Sequence, residues 1–460
     1  MSRPCPVVAV VGAGFCGTTL AVHLARADDV AVVLIDRSGS FGPGLAYGAA
    51  RPIHLLNTPA GRMSAVADDP EHFTRWAAAR VPGTSGGSFL PRPLYGDYLR
   101  ELLAGARPVL ASASGQVRSD MPGVTCLTGQ VLDVDEGWVL LADGRLKADA
   151  VVLCPGNPPP AALPVPAGLR GHPAHIADPW DFDPARIDHD APVLLIGSGL
   201  TALDVALTLT DTGHRGAIHL TSRRGLLPQP HRMHARPGQH PPPDVRGWPN
   251  TARGMLVALR KEIRTAAAAG VDWREVVASL RPITQALWRR LPMVEQERFL
   301  RHLRPYWDSH RHRAAPETHR AIAGLQRSDR LYVHAGRLAA VTAAGPRLRV
   351  TLVRGPSSQT LEVGALINCT GPASALHDAA DPLLRALVAR GVASVDPLGL
   401  GLETDDDGRM GPGLRLFLAG PLRRPRRWEA TAVLELAAQV ATLAATVRAD
   451  VGLPGALAPG

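Results

Sequence analysis

The 460-residue sequence predicts an α/β fold of two Rossmann-like domains with a helical insertion. Three observations carry that reading. The opening stretch, residues 6–37, runs strand, glycine-rich turn, helix, strand. The same pattern returns from Val193. Between residues 251 and 326 the apolar spacing is helical throughout.

In the opening stretch an apolar run, residues 7–11, stops at Gly12. Gly12, Gly14 and Gly17 follow at G-x-G-x-x-G spacing, and Leu20, Val22, His23 and Leu24 continue as a helix. A second apolar run, residues 30–35, ends on Asp36, 24 residues after Gly12. A lone G-x-G-x-x-G also fits an ordinary tight turn. Two flanking strands and a terminal acid make it a dinucleotide fingerprint. The first glycine permits the turn, the second lets backbone approach a pyrophosphate, and the third lets helix and strand pack closely. The helix N-terminus offers free N–H groups and a partial positive charge to phosphates. The candidate contacts are Gly12, Ala13, Gly14, Phe15, Cys16 and Gly17, with Asp36 and Arg37 at the ribose end.

The second turn reads Gly197-Ser198-Gly199-Leu200-Thr201, with Ala202 in place of the third glycine. A small residue suffices there for helix–strand packing. The next strand ends in Ser222-Arg223-Arg224, with no acid. An acid would hold a free ribose hydroxyl, whereas arginine suits a 2′-phosphate. The second turn therefore reads as an NADPH site rather than an NADH site. The alternative is a pseudo-repeat that has lost its ligand.

Composition narrows the class. Hydrophobic residues are 45% and charged residues 20%, as in a globular protein. Net charge is +9, nearly all from arginine, since Lys147 and Lys261 are the only lysines. The basic runs 423–427 and 310–313 are too short for a nucleic-acid arm, so anionic small molecules are expected instead. No apolar run reaches membrane-spanning length and no targeting segment is expected, which points to a cytoplasmic protein. Cys5, Cys16, Cys126, Cys154 and Cys369 form no C-x-x-C, so a dithiol centre is not expected. His302, His310, His312 and His319 lack cysteine or carboxylate partners at ligand spacing, so no metal is expected.

Two fingerprints, about 185 residues apart, imply two nucleotides. A single-nucleotide dehydrogenase needs one. The economical reading is FAD at the first turn and NADPH (or NADH) at the second, with hydride passing to the flavin. The expected FAD domain is discontinuous, residues 1–190 plus 365–460. The expected NAD(P)H domain is residues 191–364, with the insertion inside it. A helix over residues 428–447 would start near the flavin ring, with Gly420, Glu429 and Ala430 at the turn before it. The glycine- and proline-rich stretch after Asp36 places Asn57, Arg62 and Ser64 in an ordered loop of the kind that carries function.

Five motifs carry a resemblance: GAGFCG, HLLNTPAGRMSA, PRPLYGDYL, GSGLTALD with TSRRG, and the closing LAGPLRRPRRWEATAV. Over nearly its whole length the chain resembles a flavoprotein group that includes a FAD-dependent urate hydroxylase and an aspartate N-monooxygenase. More distantly it resembles the class B flavin monooxygenases. Leu169, Gly171 and His175 keep the register of their F-x-G-x-x-x-H-x-x-x-W hallmark, but Leu169 replaces the aromatic and Trp180 lies one residue late. The resemblance implies that NADPH reduces FAD and that reduced flavin with O₂ forms a C4a-hydroperoxide. One oxygen atom then passes to a small substrate. It places the Asn57 stretch beside the flavin, with Asn57 and Arg62 as catalytic candidates. Urate, hydroxylated to 5-hydroxyisourate, is the expected substrate, met as an anion by arginines such as Arg62, Arg92 and Arg311. N-hydroxylation of aspartate or ornithine is the alternative, and a flavin reductase serving a protein partner is a third reading.

Overall fold

The structure is a computed structural model and describes residues 5–112, 121–233, 240–373, 381–411 and 413–455. The chain forms two compact units. Unit 1 comprises Met1–Ala50, Pro59–Pro158 and Ser374–Gly460, and unit 2 comprises Arg51–Thr58 and Pro159–Ala373.

Unit 1 holds a six-stranded parallel sheet. In spatial order its strands are Leu416–Leu418, Ala150–Leu153, Val7–Val11, Ala31–Asp36, Gly123–Thr128 and Val109–Ser112. Parallel strands covered on both faces read as continuous apolar runs. VVAVV and AVVLID are such runs, and all but their end residues are buried. The Phe15–Ala25 helix leaves the opening strand through the first glycine turn and is buried along most of its length. A small antiparallel sheet over Val131–Asp135, Trp138–Leu141 and Gly144–Lys147 caps one part of the core. The final helix, Val433–Asp450, is tied down by Arg448. Its guanidinium donates to both oxygens of Asp29, at 2.7 and 2.8 Å.

Unit 2 repeats the plan. Its parallel strands run Leu331–Ala335, Ile218–Ser222, Val193–Ile196, Ala365–Asn368 and His175–Ile176. The Leu200–Asp211 helix follows the second glycine turn. An antiparallel meander over Arg337–Ala344, Arg347–Arg354 and Ser357–Val363 precedes the Ala365–Asn368 strand. The insertion is helical as expected: Ala252–Ala268, Trp273–Ser279, Thr284–Arg290, Met293–Arg298, a π turn at Phe299–Leu303, Arg304–Arg311 and Pro316–Arg327.

The domain boundaries differ from expectation. The chain enters unit 2 at Pro159, not at 191, because His175–Ile176 joins that sheet as an edge strand. Leu163 and Val165 also pack into the core under the meander. Residues 365–373 stay in unit 2, since Ala365–Asn368 pairs with Val193–Ile196. Arg51–Thr58 belongs to unit 2 as well. The final helix begins at Val433, five residues after the expected 428. The preceding arginines hold turns instead: Arg423 donates to the Asp406 carbonyl at 2.8 Å and Arg426 to the Thr404 carbonyl at 3.0 Å.

Candidate functional site

The two glycine turns are built alike. Gly12 N–H donates to the Ile35 carbonyl at 2.7 Å, and Cys154 N–H to the Val11 carbonyl at 2.7 Å. In unit 2, Gly197 N–H donates to the Thr221 carbonyl at 2.7 Å, and Cys369 N–H to the Ile196 carbonyl at 2.8 Å. Gly12 (φ +99°) and Gly197 (φ +126°) take backbone angles that side chains resist. A Cβ on Gly17 would stand 1.8 Å from the Gly12 carbonyl oxygen, so helix and turn touch there, while Ala202 is fully buried in the matching place.

The middle glycines behave differently. A Cβ on Gly199 meets nothing within 4 Å, and one on Gly14 meets only Gly44 Cα, at 3.7 Å. Neither following helix, Phe15–Ala25 or Leu200–Asp211, has a side-chain cap. Open N–H groups beside open space are what a pyrophosphate requires. The residues present therefore fit a dinucleotide at each turn.

Individual candidates fall into place unevenly. Asp36 Oδ2 accepts from Ala13 N–H at 2.8 Å, and Oδ1 accepts from Ser38 N–H and Ser38 Oγ at 2.8 and 2.6 Å. A carboxylate has about four lone-pair positions, so one is left for a ribose hydroxyl. Asp36 thus clasps its own loop first. Arg37 is exposed. Phe15 and Cys16 are buried, and burial pushes the Cys16 thiol up to about 12 and Cys126 to about 11. Both stay protonated and unreactive at neutral pH.

Gly420, a cofactor candidate, has its N–H already engaged. That group donates to Gln439 Oε1 at 2.7 Å, inside the final helix. Ala430 N–H donates to the Arg427 carbonyl at 2.8 Å, and Glu429 and Ala430 are buried. The uncapped end there is the Val433–Asp450 helix N-terminus, whose N-cap Ala432 makes no side-chain cap.

In unit 2, Ser198 turns inward. Its Oγ lies 2.7 Å from Ser222 Oγ and donates to the Leu226 carbonyl at 2.6 Å, so only its backbone is left for a ligand. Leu200 and Thr201 are half-buried at the helix start. Arg223 and Arg224 are exposed at the end of the Ile218–Ser222 strand.

Asn57 and Arg62 belong to different units. Asn57 lies in unit 2, half-buried, and its carbonyl oxygen accepts from His231 Nε2 at 3.0 Å. Arg62 lies in unit 1, half-buried, on the 3-10 turn Ala60–Arg62. His54 explains why the Asn57 segment joins unit 2. Its Nδ1 accepts from Arg51 N–H at 3.1 Å, which fixes the proton on Nε2. Nε2 then donates to Thr208 Oγ1 at 2.8 Å, with the Asp204 carbonyl at 3.1 Å. Sequence reasoning missed both histidines as anchors, because their partners lie 150 residues or more away.

Residues 9–158 match the FAD-NAD(P)-binding family model. The matched stretch begins inside the Val7–Val11 strand and ends at Pro158, the last residue of the second segment of unit 1. No curated protein matches the sequence. The fold of the whole chain is similar to that of solved two-dinucleotide flavoproteins. Ornithine hydroxylase from Pseudomonas aeruginosa, in its reduced form, aligns with TM-score 0.62 at 17% identity, covering 98% of this chain and 100% of that one. A FAD-bound cadaverine monooxygenase from Erwinia amylovora aligns with TM-score 0.62 at 13% identity, covering 98% and 96%. L-lysine 6-monooxygenase from Pseudomonas syringae aligns with TM-score 0.60 at 15% identity, covering 98% and 100%. Beyond the FAD-NAD(P)-binding stretch, the likeness is one of fold. Among the described residues there is no group of three metal-ligating side chains, and no helix is long and apolar enough to cross a membrane.

Proposed function

We propose that this chain is an NAD(P)H-dependent FAD monooxygenase that N-hydroxylates a small aliphatic amine, of the amino-acid or diamine class, using O₂. The observation that carries the reading is the pair of open glycine turns in a fold shared over 98% of the chain with ornithine, lysine and cadaverine hydroxylating proteins. Unit 1 holds FAD through Gly12, Ala13, Gly14, Phe15, Cys16 and Gly17, with Asp36 on the ribose. Unit 2 holds NADPH through Gly197, the Ser198 backbone, Gly199, Leu200 and Thr201, with the arginines after Ser222 near the 2′-phosphate. When bound, FAD supplies oxygen activation, with NADPH as the electron source.

The chain's own task is to position these groups and exclude water. Asn57 carries a half-buried amide with no side-chain hydrogen bond among the described residues. That amide can both donate and accept, which suits a group held at the reaction centre. Arg62 is assigned to an anionic group of the substrate, such as an amino-acid carboxylate.

Urate hydroxylation is the second reading and rests on the sequence resemblance. The three fold relatives named above act on amines, which favours the first. A reductase serving a protein partner would need a redox relay. Cys16, Cys126, Cys154 and Cys369 are buried, and their thiols are pushed up by burial, which argues against a thiol relay. Measuring NADPH consumption, O₂ uptake and H₂O₂ release with ornithine, lysine, cadaverine, aspartate and urate separates the three readings. Substrate-stimulated NADPH use with hydroxylamine formation supports the first. Hydroxylation of urate alone overturns it.

A further inference from the structure

The loop that follows the arginine pair is anchored by two serines. On one side Ser198 Oγ, within the glycine turn, donates to the Leu226 carbonyl at 2.6 Å. On the other, Ser309 Oγ, from the Arg304–Arg311 helix of the insertion, donates to the Leu227 carbonyl at 2.7 Å. Gln229 N–H returns a bond to the Ser309 carbonyl at 2.9 Å, and Ser309 is buried. The strand end is held as well: Gly225 N–H donates to Ser222 Oγ at 3.0 Å and Gly336 N–H to the Ser222 carbonyl at 2.9 Å. Glycine turn, arginine loop and insertion helix are therefore one hydrogen-bonded construction.

The insertion helix brings an aromatic ring to that loop. Tyr306 lies one turn before Ser309, is 44% exposed, and its ring centroid is 6.0 Å from the Arg224 guanidinium carbon. That is the outer range of a cation–π contact. A π turn, Phe299–Leu303, directly precedes this helix, a feature frequent at functional sites. Arg223, by contrast, is exposed and has no hydrogen bond, ion pair or ring contact among the described residues. The two adjacent arginines are thus not equivalent. One guanidinium lies within the outer range of a ring, and the other has no contact among the described residues.

We infer that the helical insertion completes the adenosine end of the NADPH site, with the two arginines divided between two tasks. Arg223 binds the 2′-phosphate. Arg224, beside Tyr306, presents its planar guanidinium to adenine as a stacking surface. Ser309 is a positioning residue that fixes the loop. This inference rests on the assignment of NADPH to unit 2. The physical grounds are that a free guanidinium at the end of the second strand suits a phosphate. A planar guanidinium beside an aromatic ring favours a flat base.

The test is calorimetric titration of the FAD-loaded full-length protein with 2′,5′-ADP and with 5′-AMP, which differ only in the 2′-phosphate. Arg223→Ala should weaken 2′,5′-ADP binding by about tenfold or more, as expected for a charged hydrogen bond, and leave 5′-AMP unchanged. Arg224→Ala and Tyr306→Ala should weaken both probes by the same factor, about two- to fivefold. Tyr306→Phe, which keeps the ring, should match the parent. Unchanged affinity for both probes in Tyr306→Ala overturns the stacking role. A selective loss of 2′,5′-ADP in Arg224→Ala overturns the division of tasks. Failure of the parent protein to bind either probe overturns the NADPH assignment itself, and this inference with it.

Discussion

A Cβ on Gly12 would stand 2.3 Å from the carbonyl oxygen of Cys154, closer than nonbonded atoms approach. Gly197 repeats the relationship with Cys369, at 2.1 Å. In each unit the first glycine of the turn lies against the end of the neighbouring parallel strand. Its role is to close the protein on itself, whereas Gly199 faces open space and Gly14 meets only Gly44. Gly12→Ala and Gly197→Ala should therefore destabilise by roughly 2–5 kcal/mol, from left-handed backbone strain plus overpacking. Gly199→Val should keep the parent's melting temperature within a few degrees yet lose NADP⁺ affinity. Thermal melts alongside NADP⁺ titrations check this. Equal thermal damage at Gly197 and Gly199 would contradict the distinction.

Cofactor preference gives a second prediction. The Ile218–Ser222 strand ends in Arg223 and Arg224 without an acid. NADPH should reduce the flavin with a lower KM than NADH. Arg223→Ala should raise the NADPH KM by roughly ten- to a hundredfold, as for a charged hydrogen bond of roughly 1.5–3 kcal/mol, with little effect on NADH. Stopped-flow reduction with each nucleotide measures it. Equal use of both by the parent protein would refute the assignment.

Asn57 tests coupling. Its backbone is held by His231 and its segment by His54, so the side chain is free of structural duty. Asn57→Ala should retain FAD, be reduced by NADPH at the parent rate, and release more H₂O₂ per NADPH consumed. A variant that loses FAD, or stays as tightly coupled as the parent, would remove Asn57 from the reaction centre.

Stability should fall on mild acidification. Burial, with Arg26 adding to it, lowers the His23 pKa to about 4. The unfolded chain takes up that proton near pH 6.5, while the folded protein resists it until about pH 4. Stability from this residue is thus intact above pH 6.5 and declines as pH falls toward 4, by about 2 kcal/mol at pH 5. His23→Gln should flatten the denaturation-versus-pH curve over that window. An unchanged slope would contradict the buried neutral imidazole.

Arg448 is 2% exposed on its side chain and paired with Asp29, which is 33% exposed. Replacing one member of such a pair strands the other. Arg448→Met should cost about 3 kcal/mol, and Asp29→Asn less, since the Asp29 side meets water. Chemical denaturation of the two variants checks the order.

Much of the fold was legible because parallel strands and glycine turns impose local patterns. GAGFCG, GSGLTA and the apolar runs around them need only a few neighbouring residues to be read. The boundaries were not legible, since a two-residue edge strand such as His175–Ile176 leaves no periodic trace. The apolar residues from Leu361 to Ile367 suit a single strand, but the chain divides at Gly364 between the meander and the parallel sheet. The two glycine turns, set by local backbone, were legible. Those set by distant partners were missed or misread: Gly420 gives its N–H to Gln439, Ser198 bonds Leu226, and His54 bonds Thr208.

The central claim is most directly tested by incubating the purified, FAD-loaded protein with NADPH, O₂ and a panel of ornithine, lysine, cadaverine, aspartate and urate. Product is followed by hydroxylamine detection and mass. The account predicts that one amine gives a product heavier by one oxygen atom, with NADPH and O₂ consumed in near-equal amounts and little H₂O₂ released. A protein that binds no FAD, or one that hydroxylates urate and none of the amines, would contradict it.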